Sequence, residues 1–173
     1  NAGQTCSAGS RLLVEESFKD TFLEKVVQRF KELEVAPGIG DKDIGPILNE
    51  KQFRRIEEFI AIAKEEATIV TGGNQLTIEG AEGGFYLEPT IIDDVDPQSK
   101  LAQEEIFGPV LTVFTFKDTE DALELANSTE YGLVAGVWTK DVNKAHYLAN
   151  RIDAGQVFIN NYGAGGGIQM PFG

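Results

Sequence analysis

Three apolar segments in the second half of the chain constrain the fold more than any other feature. Residues 110–116, 133–139 and 156–160 have no regular polar face, and segments with helical periodicity, 118–127 and 141–152, separate them. Uninterrupted apolar strands are typical of parallel sheets that helices cover on both faces. A strand–helix–strand–helix–strand order is the βαβαβ unit, whose crossovers are right-handed. The sequence therefore predicts an α/β fold, with a three-layer α/β/α arrangement around a parallel sheet.

The first half of the chain contains two further helical patterns. Apolar residues recur every three or four positions in 18–33, after Ser17, which is a candidate N-cap. A second pattern covers 50–63, where Asn49 is a candidate N-cap and Gln52 lies three residues later. We expect both helices to present one apolar face to the core.

Charge and composition exclude several classes of partner. The 173 residues are enough for one domain with a core, and their formal net charge of −13 is spread along the whole chain. Such a charge opposes binding to nucleic acids or anionic membranes. No apolar run approaches the roughly 20 residues of a membrane span. A single cysteine cannot form an internal disulfide, which suits a reducing compartment, and we expect a cytoplasmic protein.

Two further motifs have ordinary explanations. Asp93, Asp94 and Asp96 lack the ligand spacing and the glycine of a calcium loop, so we expect a solvated acidic turn and no metal site. Asn127-Ser128-Thr129 fits a glycosylation sequon. Such matches are common by chance, and nothing else in the sequence indicates secretion.

Residues 1–9 hold the single cysteine, Cys6, among small and flexible residues. Gly3 and Gly9 permit backbone angles and close approaches that a Cβ forbids. A cysteine reacts as a thiolate, which nearby N–H groups or cations stabilise, whereas a lone cysteine is more often a small buried hydrophobe. The residue types alone leave both interpretations of Cys6 open.

Several stretches together resemble one enzyme family. N-A-G-Q-T-C at 1–6, E-E-I-F-G-P-V at 104–110 and M-P-F-G at 170–173 are similar to motifs of the NAD(P)-dependent aldehyde dehydrogenase superfamily. Y-G-L at 131–133 and A-G-Q-V-F-I-N at 154–160 are further similarities, in the same order along the chain. The resemblance implies the catalytic-domain fold of that superfamily.

The resemblance also implies a reaction and a cofactor site. Cys6 would be the nucleophile that attacks an aldehyde, forming a thiohemiacetal and then, after hydride transfer to NAD or NADP, a thioester. Glu105 matches the glutamate that hydrogen-bonds the nicotinamide ribose, and Phe107 matches the aromatic residue beside it. Gln52 is near a position that approaches the adenosine end, although a helix-cap role explains it equally well.

Three further residues are implied at the substrate pocket. Thr5 and Ser7 flank the nucleophile, where the family varies residues to shape the aldehyde pocket. Phe172 corresponds to an aromatic residue near the reacting centre, and a buried anchor for its loop is an equal alternative. The sequence determines neither the aldehyde, nor NAD against NADP, nor hydrolysis against acyl transfer of the thioester.

The family pattern extends beyond this chain on both sides. The general base, the oxyanion-hole asparagine and the Rossmann-like cofactor domain precede the cysteine motif, and an oligomerisation strand follows P-F-G-G. Residues 1–173 would thus form a single, partial catalytic domain, which we expect to be inactive alone and to self-associate through exposed apolar surface. The parent protein would be a homodimer or homotetramer.

Two other functions remain open at the level of sequence. A cysteine hydrolase or acyl transferase would need a base near the thiol, and the only histidine is His146, in a predicted helix. A non-catalytic α/β binding module or structural relative would retain the fold without the chemistry. The complete motif around Cys6, with Glu105 and Phe107, argues against the second alternative.

Overall fold

The computed structural model describes residues 1–163 of the chain. These residues belong to two compact units, which divide between Thr115 and Phe116. The single domain expected over 1–173 stays a prediction. Within the described residues, no helix is both long and apolar enough to cross a bilayer.

A four-stranded sheet organises the first unit. The strands of this unit are β1 (Arg11–Glu15), β2 (Thr68–Thr71), β3 (Gln75–Leu76), β4 (Tyr86–Leu87), β5 (Thr90–Asp93) and β6 (Val110–Phe116). The sheet has the order β1-β6-β5-β2, with β5 and β6 parallel and β2 antiparallel to β5. Strands β3 and β4 form a separate antiparallel pair. All four residues of β5 are buried, as expected for a strand covered on both faces.

Three helices accompany this sheet: α1 (Lys19–Lys31), α2 (Glu50–Glu66) and α3 (Lys100–Gln103). The apolar stripe of α1, which includes Phe22 and Val26, packs against the buried residues Val14, Ile91 and Val113 of the sheet. Helix α2 buries five residues, Phe53, Ile56, Phe59, Ile60 and Ala63. The predicted amphipathic helices are therefore confirmed, although the apolar stripe of α1 is only partly buried whereas that of α2 is fully buried.

The two predicted N-caps have different outcomes. The Asn49 side chain accepts a hydrogen bond of 2.9 Å from the backbone N–H of Gln52, so its capping role is confirmed. The prediction for Ser17 was wrong. Residues 16–18 form a 3₁₀ turn, and the Ser17 hydroxyl donates to the Glu15 carboxylate at 2.8 Å. Phe18 takes the N-cap position of α1 without a side-chain bond.

The second unit contains a parallel strand–helix–strand motif. Helix α4 (Thr119–Ala126) precedes strand β7 (Val134–Val137), and helix α5 (Val142–Ala149) connects β7 to strand β8 (Gln156–Ile159). Strands β7 and β8 are parallel. The Asn127 side chain, at the end of α4, donates to the carbonyl of Arg151 and accepts from the N–H of Asp153, both at 2.9 Å.

The α/β class is confirmed, but the predicted parallel sheet needs correction. In the first unit β6 lies between β1 and β5, and in the second unit β7 pairs with β8. The four-stranded sheet is mixed rather than parallel, since β2 runs antiparallel to β5. Burial on both faces makes a strand uniformly apolar whichever neighbour it has, so the pattern could not identify the pairing partners.

The predicted acidic turn also needs correction, because Asp93 is not solvated. Asp93 is only 8 % exposed, and its carboxylate lies 2.8 Å from the Lys19 ammonium group. Asp94 lies 3.4 Å from the same group, and it accepts a hydrogen bond from Thr68. Burial alone lowers the pKa of Lys19, but the bonds and charges of the two aspartates raise it above its ordinary value. Stability from this pairing is therefore present at neutral pH and lost only as the pH rises above the ordinary lysine range.

We expect Asp93→Asn to lower the free energy of unfolding by about 2 kcal/mol at neutral pH, because it leaves a largely buried ammonium without its nearest charge. The measurement is urea denaturation followed by circular dichroism. Asp94→Asn is the matched control, since Asp94 is mostly exposed and asparagine tolerates its φ of +56°. Equal losses for the two variants would contradict the assignment.

Candidate active site

The loop at residues 1–9 exposes Cys6 at its turn. The Cys6 thiol is free and solvent-exposed in the described residues. The N–H of Ala8 donates to the carbonyl of Thr5 at 2.8 Å, which closes a turn around the cysteine. Thr5 is half-buried, and Ser7 is buried at 6 % exposure. Of the two residues beside Cys6, Thr5 is therefore partly accessible to solvent, whereas Ser7 lies inside the structure.

A contact between two backbones joins the cysteine loop to the segment 104–109. Gly3 has a φ of +70°, and a Cβ at this position would overlap the carbonyl oxygen of Gly108. A residue with a side chain would be strained by the backbone angle and blocked by the contact. The two most distinctive sequence motifs of the chain therefore meet through glycine backbones.

The side chain of Gln4 attaches the same loop to the start of α2. Its amide oxygen accepts a hydrogen bond of 2.8 Å from the N–H of Leu48. Its amide nitrogen donates to the carbonyls of Pro46 and Asn1, at 3.3 and 3.1 Å. Because both ends of the amide are engaged, Gln4 fixes the loop next to the segment from which α2 begins.

Helix α2 also holds the segment 104–109. The Gln52 amide nitrogen donates to the carbonyls of Ile106 and Phe107, both at 3.0 Å. One turn later, the Arg55 guanidinium donates to the carbonyl of Glu105 at 3.0 Å. Residues three apart share a helix face, so Gln52 and Arg55 bind three consecutive carbonyls from the same side of α2.

The held segment has an unusual backbone at Phe107. Phe107 is half-buried with a φ of +58°, a left-handed conformation that is uncommon for an aromatic residue. Gly108 follows it, and a Cβ there would lie 2.6 Å from the side chain of Ile56 on α2. Glu105 is exposed, whereas Ile106 is buried. The segment is thus anchored by its backbone while it presents a carboxylate at the surface.

The structure brings together most of the predicted site residues. Cys6 with its neighbours, Gln52, Glu105 and Phe107 all lie in the first unit and are linked by the contacts above. Phe172 lies outside the described residues. His146, the base of the alternative hydrolase, is exposed on α5 in the second unit.

Sequence reasoning missed the structural roles of Gln4 and Arg55. Gln4 belongs to the N-A-G-Q-T-C motif, but its neighbours along the chain give no indication of a bond to Leu48. Arg55 could have been found from helical periodicity, because it lies three residues after Gln52 on the same face. Its partner carbonyl is fifty residues away in sequence, and no local pattern indicates such a contact.

Cys6 is thus an exposed thiol on a backbone-anchored loop, next to a second anchored loop in an α/β unit. Residues 1–173 match the sequence model of the aldehyde dehydrogenase family. The chain belongs to this family, which confirms the resemblance seen in its motifs.

Known proteins similar to the chain carry names of the same family. A betaine aldehyde dehydrogenase of Bacillus subtilis is 42 % identical over 94 % of the chain and 34 % of its own length. An aldehyde dehydrogenase of Aspergillus niger is 44 % identical over 100 % of the chain and 34 % of its length. The chain thus spans about a third of the length of these relatives.

Solved structures agree with the sequence relatives. The aldehyde dehydrogenase KauB from Pseudomonas aeruginosa has a TM-score of 0.93 and 42 % identity, over 99 % of the chain and 34 % of its own. A betaine aldehyde dehydrogenase from Staphylococcus aureus, in complex with NAD⁺, has a TM-score of 0.89 and 40 % identity, over 94 % and 33 %. The aldehyde dehydrogenase fold of this chain is therefore confirmed.

We expect Gly3→Ala to destabilise the protein by at least about 3 kcal/mol, because the new Cβ adds overlap with Gly108 to the strain of a positive φ. Gly80→Ala is the matched control. Gly80 has a φ of +77°, but within the described part of the chain a Cβ on Gly80 would meet no atom closer than 4 Å. The control therefore isolates the cost of the backbone angle, about 1 kcal/mol. Urea unfolding of both variants measures the difference, and similar losses would mean that the Gly3–Gly108 contact contributes nothing.

Proposed function

We propose that this chain supplies the nucleophilic cysteine of an aldehyde dehydrogenase that oxidises an aldehyde to a carboxylic acid with NAD or NADP. The observation that carries the proposal is the exposed Cys6 on a loop fixed against the Glu105-bearing segment through Gly3 and Gly108. Family membership and the names of the relatives support the reaction class.

Cys6 provides the covalent part of the mechanism. Its thiolate attacks the carbonyl carbon of the aldehyde, forming a C–S bond and a thiohemiacetal oxyanion, which the backbone N–H of Cys6 can stabilise. A nicotinamide cofactor held by Glu105 and Phe107 would supply the acceptor for the hydride, with its electron pair, that leaves this carbon. The resulting thioester on Cys6 is cleaved by water, which releases the carboxylic acid and restores the thiol. Nucleophilic catalysis thus divides one difficult oxidation into two steps.

Glu105 and Phe107 are the proposed cofactor contacts of this chain. An exposed carboxylate can accept hydrogen bonds from ribose hydroxyl groups, and a half-buried aromatic ring offers an apolar face beside them. These two residues suit a cofactor site because side chains of α2 already bind their backbone carbonyls. Cofactor binding would therefore cost little conformational entropy in this segment. The complex of the Staphylococcus aureus relative with NAD⁺ supports NAD as a cofactor of this family.

Gln52 is better explained as a support for the cofactor site than as a contact to the adenosine end. An amide group has two N–H donors, and Gln52 directs its nitrogen to the carbonyls of Ile106 and Phe107. We therefore assign it a positioning role. Thr5 is the proposed contributor to the aldehyde pocket, and Ser7, which is buried, supports the loop from within.

We further propose the cellular setting implied by the family resemblance. The whole protein would act as a homodimer or homotetramer in the cytoplasm on a small aldehyde. The single free cysteine supports a reducing compartment, because it forms no disulfide within the chain.

Cys6→Ser in the full-length protein is expected to lower kcat for aldehyde oxidation by at least about a thousandfold, because a hydroxyl is far less nucleophilic than a thiolate. NADH formation with a panel of aldehydes measures the rate, and calorimetry measures NAD binding, which should be unchanged. Thiol-dependent ester cleavage that proceeds without NAD, in a protein that oxidises no aldehyde, would favour the hydrolase instead.

Glu105→Gln is expected to raise the Kd for NAD about tenfold, because hydrogen bonds to a charged acceptor are the stronger kind. Glu58→Gln removes the same charge from an exposed position of α2 and serves as the control. Calorimetric titration of both full-length variants with NAD distinguishes a ribose contact from a general effect of charge. If both variants bind NAD as the wild type does, Glu105 is not a cofactor contact.

A further inference from the structure

Arg55 makes contacts that the proposed reaction does not use directly. Its guanidinium donates to the backbone carbonyl of Glu105 at 3.0 Å, and the same nitrogen lies 3.4 Å from the carboxylate of Glu104. One side chain of α2 thus binds both the backbone of the proposed cofactor contact and the side chain that precedes it.

The aromatic ring of Phe59 holds the Arg55 guanidinium in position. The central carbon of the guanidinium lies 4.9 Å from the ring centroid of Phe59, which is 1 % exposed and one turn further along α2. The Lys100 ammonium, at the start of α3, lies 5.1 Å from the centroid of the same ring. A cation over an aromatic ring is attracted to its face, so the buried Phe59 anchors Arg55.

The segment that Arg55 binds requires such support. Phe107 has a positive φ, and a strained backbone persists only where the surrounding structure determines it. Gln52 binds the carbonyls of Ile106 and Phe107, and Arg55 extends the series to Glu105. The planar guanidinium can serve a carbonyl and a carboxylate together, which a lysine ammonium does with less geometric control.

We propose that Arg55 is a positioning residue that holds Glu105 in place for the cofactor. The inference rests on the proposed contact of Glu105 with the nicotinamide ribose. Loss of Arg55 leaves the carboxylate of Glu105 in the protein but removes the guanidinium bond to its backbone carbonyl. Cofactor affinity then falls, while Cys6 and its chemistry are retained.

The test compares Arg55→Met with Arg54→Met in the full-length protein. Arg54 is the adjacent residue, and its guanidinium pairs only along α2 in the described structure, with Glu50 and Glu57. The two variants lose the same charge from the same helix. We expect Arg55→Met to raise the Kd for NAD about tenfold and to change kcat at saturating NAD less than about twofold. We expect Arg54→Met to change either quantity less than about twofold.

Hydrogen exchange of the segment 104–109 provides a readout that does not depend on activity. Arg55→Met should accelerate exchange there, whereas Arg54→Met should not. If Arg55→Met fails to fold, Arg55→Lys replaces it, with an expected rise in Kd of about threefold. If the wild type binds NAD, and the variants at positions 54 and 55 have the same Kd for NAD and the same exchange rates, the inference is wrong. In another outcome, the wild type does not bind NAD and exchange of segment 104–109 is faster only in the Arg55 variant. That result overturns the proposed function but keeps the role of Arg55 in holding the segment.

Discussion

The close approach of the Gly3 and Gly108 backbones is the constraint on which the candidate site depends. A Cβ on Gly3 would overlap the carbonyl of Gly108, so the two loops can meet only where a side chain is absent. This contact sets the cysteine loop beside the segment that carries Glu105. Because backbone atoms form it, the distance between the loops depends on no rotamer, and the site gains a fixed geometry from two residues with no functional groups of their own.

Helix α2 extends that constraint to the rest of the site. Gln4 binds the residues that lead into the helix, Asn49 caps its first turn, and Gln52 and Arg55 bind the carbonyls of the opposite loop. The buried face of α2 packs into the core, so the polar face is held rigidly. Sites supported by a helix are more exact than sites built on loops alone, and here one helix supports two loops.

The sequence predicted the features that depend on local periodicity and on motifs. The α/β class, the apolar faces of α1 and α2, and the cap at Asn49 follow from spacing along the chain. The mixed direction of the first sheet was mispredicted, because an apolar strand has the same pattern beside a parallel or an antiparallel neighbour. Asp93 looked like part of a solvated turn because its partner, Lys19, lies far away in sequence. Arg55 was missed for the same reason.

Asn127 uses the side-chain amide of its sequon for two structural contacts. Its side-chain nitrogen, the atom to which a glycan would be attached, already donates to the carbonyl of Arg151, and its oxygen accepts from Asp153. The amide therefore ties the end of α4 to the segment that leads into β8. A sugar on that nitrogen would leave it one N–H and would have to fit beside the carbonyl of Arg151, so this contact restricts how a glycan could be attached.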